Sequence, residues 1–373
     1  MAIYSPGLSV LSQNAALPPD WPGGYWLHWL VFVVIIMTFV LASIMGFIYF
    51  ERRGIGRFQV RLGPNRTGPF GILQPVADAI KVLLKEDIVP AKGDRIVHWL
   101  APVVAFVPVL LIFAVVPFGG GAILADLNIG ILYVVAVSSV TVIGVFMAGW
   151  ASNNKYSLLG AMRDVAQVVS YEIPLLLSIV GVVLLTGSLS MIKIVAAQDL
   201  PFILLQPLGF LIFFMAALAE INRTPFDLLE AESEIVAGFH TEYSGMKFAM
   251  FYLVEYAEVL AISAIITTLF LGGWRGPLLP PFVWFLIKVF GVFFFIFWIR
   301  STIPRLRIDQ VMAFAWKALL PLALLNLVIT GIEIVALPAI SPWVIILINL
   351  GVLAVLVVVW SRFFKLGGGR VAV

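Results

Sequence analysis

The chain has 373 residues, a formal net charge of +3, 62% hydrophobic and only 12% charged residues, and a mean hydropathy of +1.09; ordinary soluble domains carry roughly 25% charged residues. This composition excludes a soluble globular domain and marks a membrane protein. With no cysteine, the chain supplies neither thiolate ligands for an iron–sulfur cluster nor a disulfide, so a redox centre of that kind lies elsewhere.

Residues 1–25 form an N-terminal extension without a basic n-region or a small-residue cleavage site, so the first apolar run is expected to be a span and not a removed signal peptide. Runs of about 20 apolar residues, enough to cross a hydrocarbon core of about 30 Å as a helix, predict spans at about 26–50, 99–118, 129–150, 172–188, 202–222, 246–271, 281–300, 318–337 and 343–361. We expect an all-α, polytopic transmembrane helical bundle of about nine spans, eight to ten being compatible with the pattern. It forms one integral membrane domain over residues 26–364, followed by a C-terminal tail at 365–373. No repeat of 20 to 50 residues is visible.

Lysine and arginine fix the expected orientation, because they concentrate on the cytoplasmic side of spans. With nine spans, twenty of the 23 fall on one face, only Lys193 and Arg275 on the other, and Lys288 within a span. The N-terminus is therefore expected outside and the C-terminus on the cytoplasmic side.

The first inner loop, "ERRGIGRFQVRLGPNRTGPFGILQPVADAIKVLLKEDIVP", has glycines and prolines from Gly54 to Pro75 that predict an irregular segment. A helix follows. Leu73, Val76, Ala77, Ile80, Leu83 and Leu84 share one face at the 3.6-residue period, and Gln74, Asp78, Lys81 and Lys85 share the other. This amphipathic helix is expected in the interface plane or across the mouth of a cavity. A plain surface anchor is the competing role.

In the second inner loop Glu172 precedes Pro174, at the expected first turn of the fourth span, where the helix dipole favours a carboxylate. The third contains "PFDLLEAESEIVAGFHTEYSG". Drawn as a helix, it places Asp227, Glu230 and Glu234 on one face and Glu232 off it, and carboxylates so crowded repel and retain protons. Glu220 and Glu242 bracket the cluster. Glu255 and Glu258 stand i, i+3 within the sixth span, and Lys288 within the seventh. Ionisable groups at such depth usually face a wet cavity or a partner; bundle glue is the bland alternative. Taken in order, Glu172, Glu220, Asp227, Glu230, Glu232, Glu234, Glu242, Glu255 and Glu258 outline a proton path from the inner surface toward the membrane middle. Of the three histidines only His240 joins the acidic loop, and no metal-ligand spacing occurs. The last inner loop, "WIRSTIPRLRIDQ", offers Arg300, Arg305, Arg307 and Asp309; guanidinium groups there suit an acidic loop, a ligand carbonyl or lipid phosphate.

Five stretches in order carry a resemblance: "ERRGIGRFQVRLGPNRTGPFGILQPVADAIK", "KEDIVPA", "SNNKYSLLGAMRDVAQVVSYEIP", "AEINRTPFDLLEAESEIVAGFHTEYSGMKF" and "IRSTIPRLRIDQ". From about Trp26 to about Phe364 the chain resembles the H-type membrane subunit of respiratory complex I, the proton-pumping NADH:quinone oxidoreductase. It departs at Ser301 and Ile308, where alanine and an aromatic residue are usual, and at Asp164, where a small residue is common. The resemblance implies a multi-pass subunit of the bacterial cytoplasmic membrane that joins the peripheral and membrane arms. It further implies most of a narrow chamber admitting a lipid-soluble quinone, ubiquinone or menaquinone, as substrate, with NADH, FMN and iron–sulfur sites only in partner subunits and no covalent cofactor here. Implied partners are the peripheral quinone-site and terminal-cluster subunits, small membrane subunits, antiporter-like subunits and lipids, and no nucleic acid. By the same likeness Glu51, Arg52, Arg53, Arg57, Arg61, Asp78, Lys81, Arg300 and Arg305 belong to the quinone chamber, and the acidic residues from Glu172 to Glu258 couple quinone reduction to proton translocation. Rival readings are a related subunit of a ferredoxin- or hydrogenase-linked complex, a secondary cation or proton transporter with broken helices, and a purely structural anchor.

Overall fold

The computed structural model describes residues 24–120, 122–229, 232–336 and 340–363, and every regular element among them is helical. In chain order these are α1 (Gly24–Phe58), α2 (Gln74–Leu83), α3 (Arg95–Ile112), α4 (Gly130–Ala151), α5 (Lys155–Thr186), α6 (Met191–Ala197), α7 (Phe202–Leu205), α8 (Pro207–Glu220), α9 (Glu232–Ile235), α10 (Gly245–Phe270), α11 (Pro281–Thr302), α12 (Ile308–Phe314), α13 (Leu320–Ala336) and α14 (Pro342–Phe363). Among the described residues eight helices are long and apolar enough to cross a membrane: α1, α3, α4, α5, α10, α11, the run from α12 through a π turn into α13, and α14.

Side-chain acceptors set where helices begin. Asp94 accepts from the Ile96 and Val97 N–H groups at 3.0 and 3.2 Å, and Asn154 from Tyr156 N–H at 3.0 Å, satisfying donors that a first turn leaves free. α5 ends on Gly187, at φ 66°, the left-handed conformation glycine adopts without strain. Between helices that share a lipid environment, small residues set the packing, because no water is expelled by burying one apolar helix on another. A Cβ built on Gly144 would lie 2.6 Å from the Ala105 nitrogen, and one on Gly149 would lie 2.4 Å from the Ala161 Cβ, so α4 approaches α3 and α5 at backbone distance.

α10 is the central element. Every residue from Val259 to Phe270 is buried, as expected for a helix apolar on all sides. The hydroxyls of Ser263, Thr267 and Thr268 return to the carbonyls of Val259, Ser263 and Ile265 at 2.7–2.8 Å, so no buried hydroxyl there is left unmade.

Several boundaries differ from expectation. α1 runs to Phe58, through Gly54 and Gly56, because Gly54 packs against α11: a Cβ there would lie 2.3 Å from the Phe297 ring. α5 starts at Lys155, seventeen residues before the expected start at 172, and Pro174 is interior. Glu172 therefore stands mid-helix and is no N-terminal cap. The expected fifth span, 202–222, is interrupted at Gln206 (φ −128°, ψ 63°) ahead of Pro207. A break at such depth frees backbone groups that need partners. Asn349 of α14 donates to Leu205 O at 2.7 Å, and Gln206 donates to Gly181 O at 3.1 Å and to Thr330 Oγ1 at 2.9 Å.

Candidate functional site

Near the arginine-rich end of α1 an alternating ladder of charge is assembled from four elements. Glu51 (α1) is 4% exposed; it accepts from Arg300 (α11) and, at 3.1 Å, from Arg223, in the segment after α8. Arg223 is 3% exposed. Its Nη2 lies 3.1 Å from Glu255 Oε1 (α10) in an ion pair without hydrogen-bond geometry, and its guanidinium stands 4.6 Å above the Tyr256 ring. Burial opposes the Arg223 charge, but Glu255 and Glu51 outweigh it and hold the guanidinium firmly protonated, raised above the ordinary arginine value. Beside the ladder, α2 turns its polar face to α1. Arg52 pairs with Asp78, Gln74 donates to Asp78 at 3.0 Å, and Arg53 bonds Tyr49 and Phe70 O. The apolar face of α2 is exposed, with Ile80 at 53% and Leu83 at 61%. Arg57, Arg61 and Lys81 are exposed and stand apart from the ladder.

An open groove of about 450 Å³ reaches Phe50, the residue before Glu51. Its walls are aromatic and aliphatic, chiefly Phe39, Phe47 and Phe50 of α1 with Leu286 and Phe290 of α11. At Glu255 the ladder meets a cavity lined by Asp164 (α5), Glu220 (α8), Asn222, Asp227, His240, and Glu255 and Glu258 (α10). Its volume is about 60 Å³, several times the roughly 10–15 Å³ that one water needs. A second space of about 40 Å³ shares Thr141, Glu220, Ile221 and Glu258 with the first and continues into the bundle past Ser138. Gly160 makes room for the cavity wall, since a Cβ there would lie 2.9 Å from Gly238 Cα, in the loop that carries His240. Burial pushes His240 down to about 4 from the ordinary histidine range, so the ring is neutral at neutral pH.

Of the nine carboxylates expected to form one path, Glu220, Asp227, Glu255 and Glu258 are brought together around this cavity. Glu172 accepts from Ser139 Oγ of α4. Glu242 is elsewhere, accepting from Asn154 at 2.7 Å. Glu234 is exposed and pairs with Arg163 at 2.6 Å and with Arg305 at 3.5 Å. Glu230 and the Glu232 side chain lie outside the described residues. The acidic loop is not the continuous helix expected over 227–234: only Glu232–Ile235 is helical, so Asp227 and Glu234 do not share a helical face. Pro225 and the left-handed turn at Gly238, packed against Gly160 of α5, shape this loop. Lys288 donates to the carbonyls of Leu271, Gly273 and Arg275 at 2.7, 2.9 and 2.7 Å, closing the end of α10; that is a structural cap.

Sequence reasoning missed Arg223 as the hub and Asp164 as a wall residue. The signal for Asp164 is its spacing from Val168 and Glu172, i, i+4 and i+8 on α5, which counts only once that helix starts at Lys155. Among the described residues no three His, Cys, Asp or Glu side chains are grouped to hold a metal ion.

A helical bundle that encloses an arginine–carboxylate ladder between an aromatic groove and a buried acidic cavity is a multi-pass membrane protein organised around internal charge. The model of the family described as NADH dehydrogenase matches residues 30–331. A relative in Dehalococcoides mccartyi, strain 195, named as the H-type subunit of an NADH-quinone oxidoreductase, is 70% identical over 94% of this chain and 99% of its own length. Relatives named as the same type of subunit in Brevibacillus brevis and Geobacter sulfurreducens are 51% and 52% identical over 88% and 80% of this chain, covering 98% and 94% of their own lengths. The chain belongs to this family, the H-type membrane subunits of complex I.

Proposed function

We propose that this chain forms the quinone chamber of a proton-translocating NADH:quinone oxidoreductase in the bacterial cytoplasmic membrane, N-terminus outside, and transmits quinone reduction to a proton path. The groove between α1 and α11 admits the quinone tail, and α2 lies in the membrane interface at its mouth with the exposed Ile80 and Leu83 toward lipid. The observation that carries the proposal is the ladder Arg300–Glu51–Arg223–Glu255, which starts next in sequence to the groove residue Phe50 and ends at Glu255, in the wall of the acidic cavity. Negative charge on a reduced headgroup draws Arg300 from Glu51. Glu51 then competes harder for Arg223, Glu255 loses part of its counter-charge, and proton binding among Glu255, Glu258, Glu220 and Asp227 is favoured. No redox centre is required of this chain; the electron carriers belong to partner subunits of the peripheral arm, and the proton leaves through antiporter-like neighbours. The relatives' names support the quinone-linked form over ferredoxin- or hydrogenase-linked ones.

The test is Glu255→Gln and Glu258→Gln in the complete complex, reconstituted in vesicles with NADH and a short-chain ubiquinone analogue. Quinone reduction coupled to proton uptake is expected to fall at least about tenfold, within the range that a positioned proton carrier contributes. NADH oxidation by ferricyanide is expected to persist. Normal coupled turnover in both variants would remove the cavity from the mechanism.

A further inference from the structure

Resting on that proposed function, we infer that Asp164 is an additional proton-carrying group of the same cavity, one that the acidic loop and α10 alone do not provide. Three observations converge on it. Asp164 is 3% exposed, on the face of α5 that lines the cavity with Glu220, Asp227, Glu255 and Glu258. Its hydrogen-bond donor is a neutral amide, Asn222 Nδ2 on Asp164 Oδ1. That amide is held in place: Gln167, 1% exposed, sets its Nε2, which carries two N–H donors, 2.8 Å from Asn222 Oδ1, 2.8 Å from Ala219 O and 2.9 Å from Phe226 O, sharing them among the three acceptors. With its oxygen engaged by Gln167, Asn222 can present only N–H to Asp164.

Asp164 is thus pinned through one oxygen, while the carboxyl group borders a space large enough for water. Glu258 lines the same cavity as Asp164, Glu220 and Glu255 and also lines the second space, so the protonation of Asp164 bears on the group at the junction of the two cavities. A residue whose purpose was packing would be better served by an apolar side chain, since a buried carboxyl without a cation is costly. The step is a proton transfer only. The O–H bond of Asp164 breaks as an O–H bond forms on cavity water, which passes a proton to a neighbouring carboxylate; no electrons move.

The experiment compares Asp164→Asn, Asp164→Ala and Asp164→Glu with Glu258→Gln in the complete complex in vesicles, using NADH and a short-chain ubiquinone analogue. Asparagine keeps an acceptor for Asn222 but carries no titratable proton. It is expected to lower quinone-dependent proton translocation at least about tenfold, alanine to do the same, and glutamate to restore most of it. The infrared difference spectrum between oxidised and reduced quinone states is expected to lose a protonated-carboxyl band in Asp164→Asn and to show it displaced in Asp164→Glu. Normal translocation in Asp164→Asn alongside a defect in Glu258→Gln overturns the assignment of Asp164 and leaves the cavity proposal standing; normal translocation in both overturns the two together. Should the Asn and Ala variants fail to assemble, isotopic labelling of aspartate in the unaltered complex decides: a redox-linked carboxyl band that shifts with the label supports the inference, and no such band overturns it.

Discussion

Replacing Arg223 by methionine tests whether the ladder is an energetic unit. The guanidinium holds Glu51 and Glu255, each at 3.1 Å, and is 3% exposed. Removing one partner of a buried pair costs about 3–5 kcal/mol, because the remaining charge stays desolvated. Here Glu51 retains Arg300 and Glu255 can take up a proton, so Arg223→Met is expected near the lower end, about 3 kcal/mol or roughly a hundredfold in equilibrium. Glu51→Gln leaves Arg223 paired with Glu255 and is expected to cost about 2 kcal/mol. If the two act together, the double variant falls short of their sum by at least about 1 kcal/mol. Thermal release of the subunit from the purified detergent-solubilised complex provides the measurement. Additivity within about 0.5 kcal/mol would mean that Glu51 and Arg223 do not sense each other, and transmission through the ladder would fall with it.

Lys288→Met removes a cation that caps three carbonyls at the end of α10; it is expected to destabilise by about 1.5–3 kcal/mol, the scale of hydrogen bonds to charged groups, with proton translocation per quinone unchanged in complexes that assemble. Gly144→Ala drives a methyl to 2.6 Å from the Ala105 nitrogen and is expected to cost about 1–3 kcal/mol through separation of α3 and α4, read as a lower release temperature, whereas Gly187→Asn, at a left-handed helix end in open space, is expected to cost well under about 1 kcal/mol. His240 is neutral in the folded chain down to about 4, while an unfolded histidine takes a proton near 6.5. The unfolded state therefore binds more protons between those values. Its contribution to stability is fully present above about 6.5 and is lost as the pH falls toward 4; His240→Asn is expected to flatten that part of the stability–pH curve.

Spans were legible because a lipid-embedded backbone has few alternatives to helix: the expectation of 246–271 meets α10 at Gly245–Phe270, and 129–150 meets α4 at Gly130–Ala151. α5 was hidden by its own polar residues. Arg163, Asp164 and Gln167 read as a water-facing loop, but Gln167 is buried against Ala219 and Phe226, and Asp164 lines a cavity that no local pattern announces. The break at Gln206 leaves only a Gln-Pro pair in an apolar run, and its partners, Thr330 and Asn349, are more than a hundred positions away. Glu255 and Glu258 stood out by depth alone. Arg223 could not, since as one basic residue among twenty on an inner face it resembles an insertion signal until residues 51, 223, 255 and 300 are seen together.

The same contrast separates structural from responsive charge in this bundle. Lys288 is surrounded by carbonyl dipoles, which do not titrate, so a proton moved elsewhere leaves its environment as it was. Arg223 is shared by two carboxylates from different helices, and any change of charge on one alters what it offers the other. Buried ions of the second kind add little net stability compared with apolar replacements, and in a chain with only 12% charged residues the proposed function gives that sensitivity a use. Glu255 lines the cavity, and Phe50, the residue before Glu51, lines the aromatic groove. On the proposed function, a perturbation at either reaches the other through the one guanidinium that Glu51 and Glu255 share.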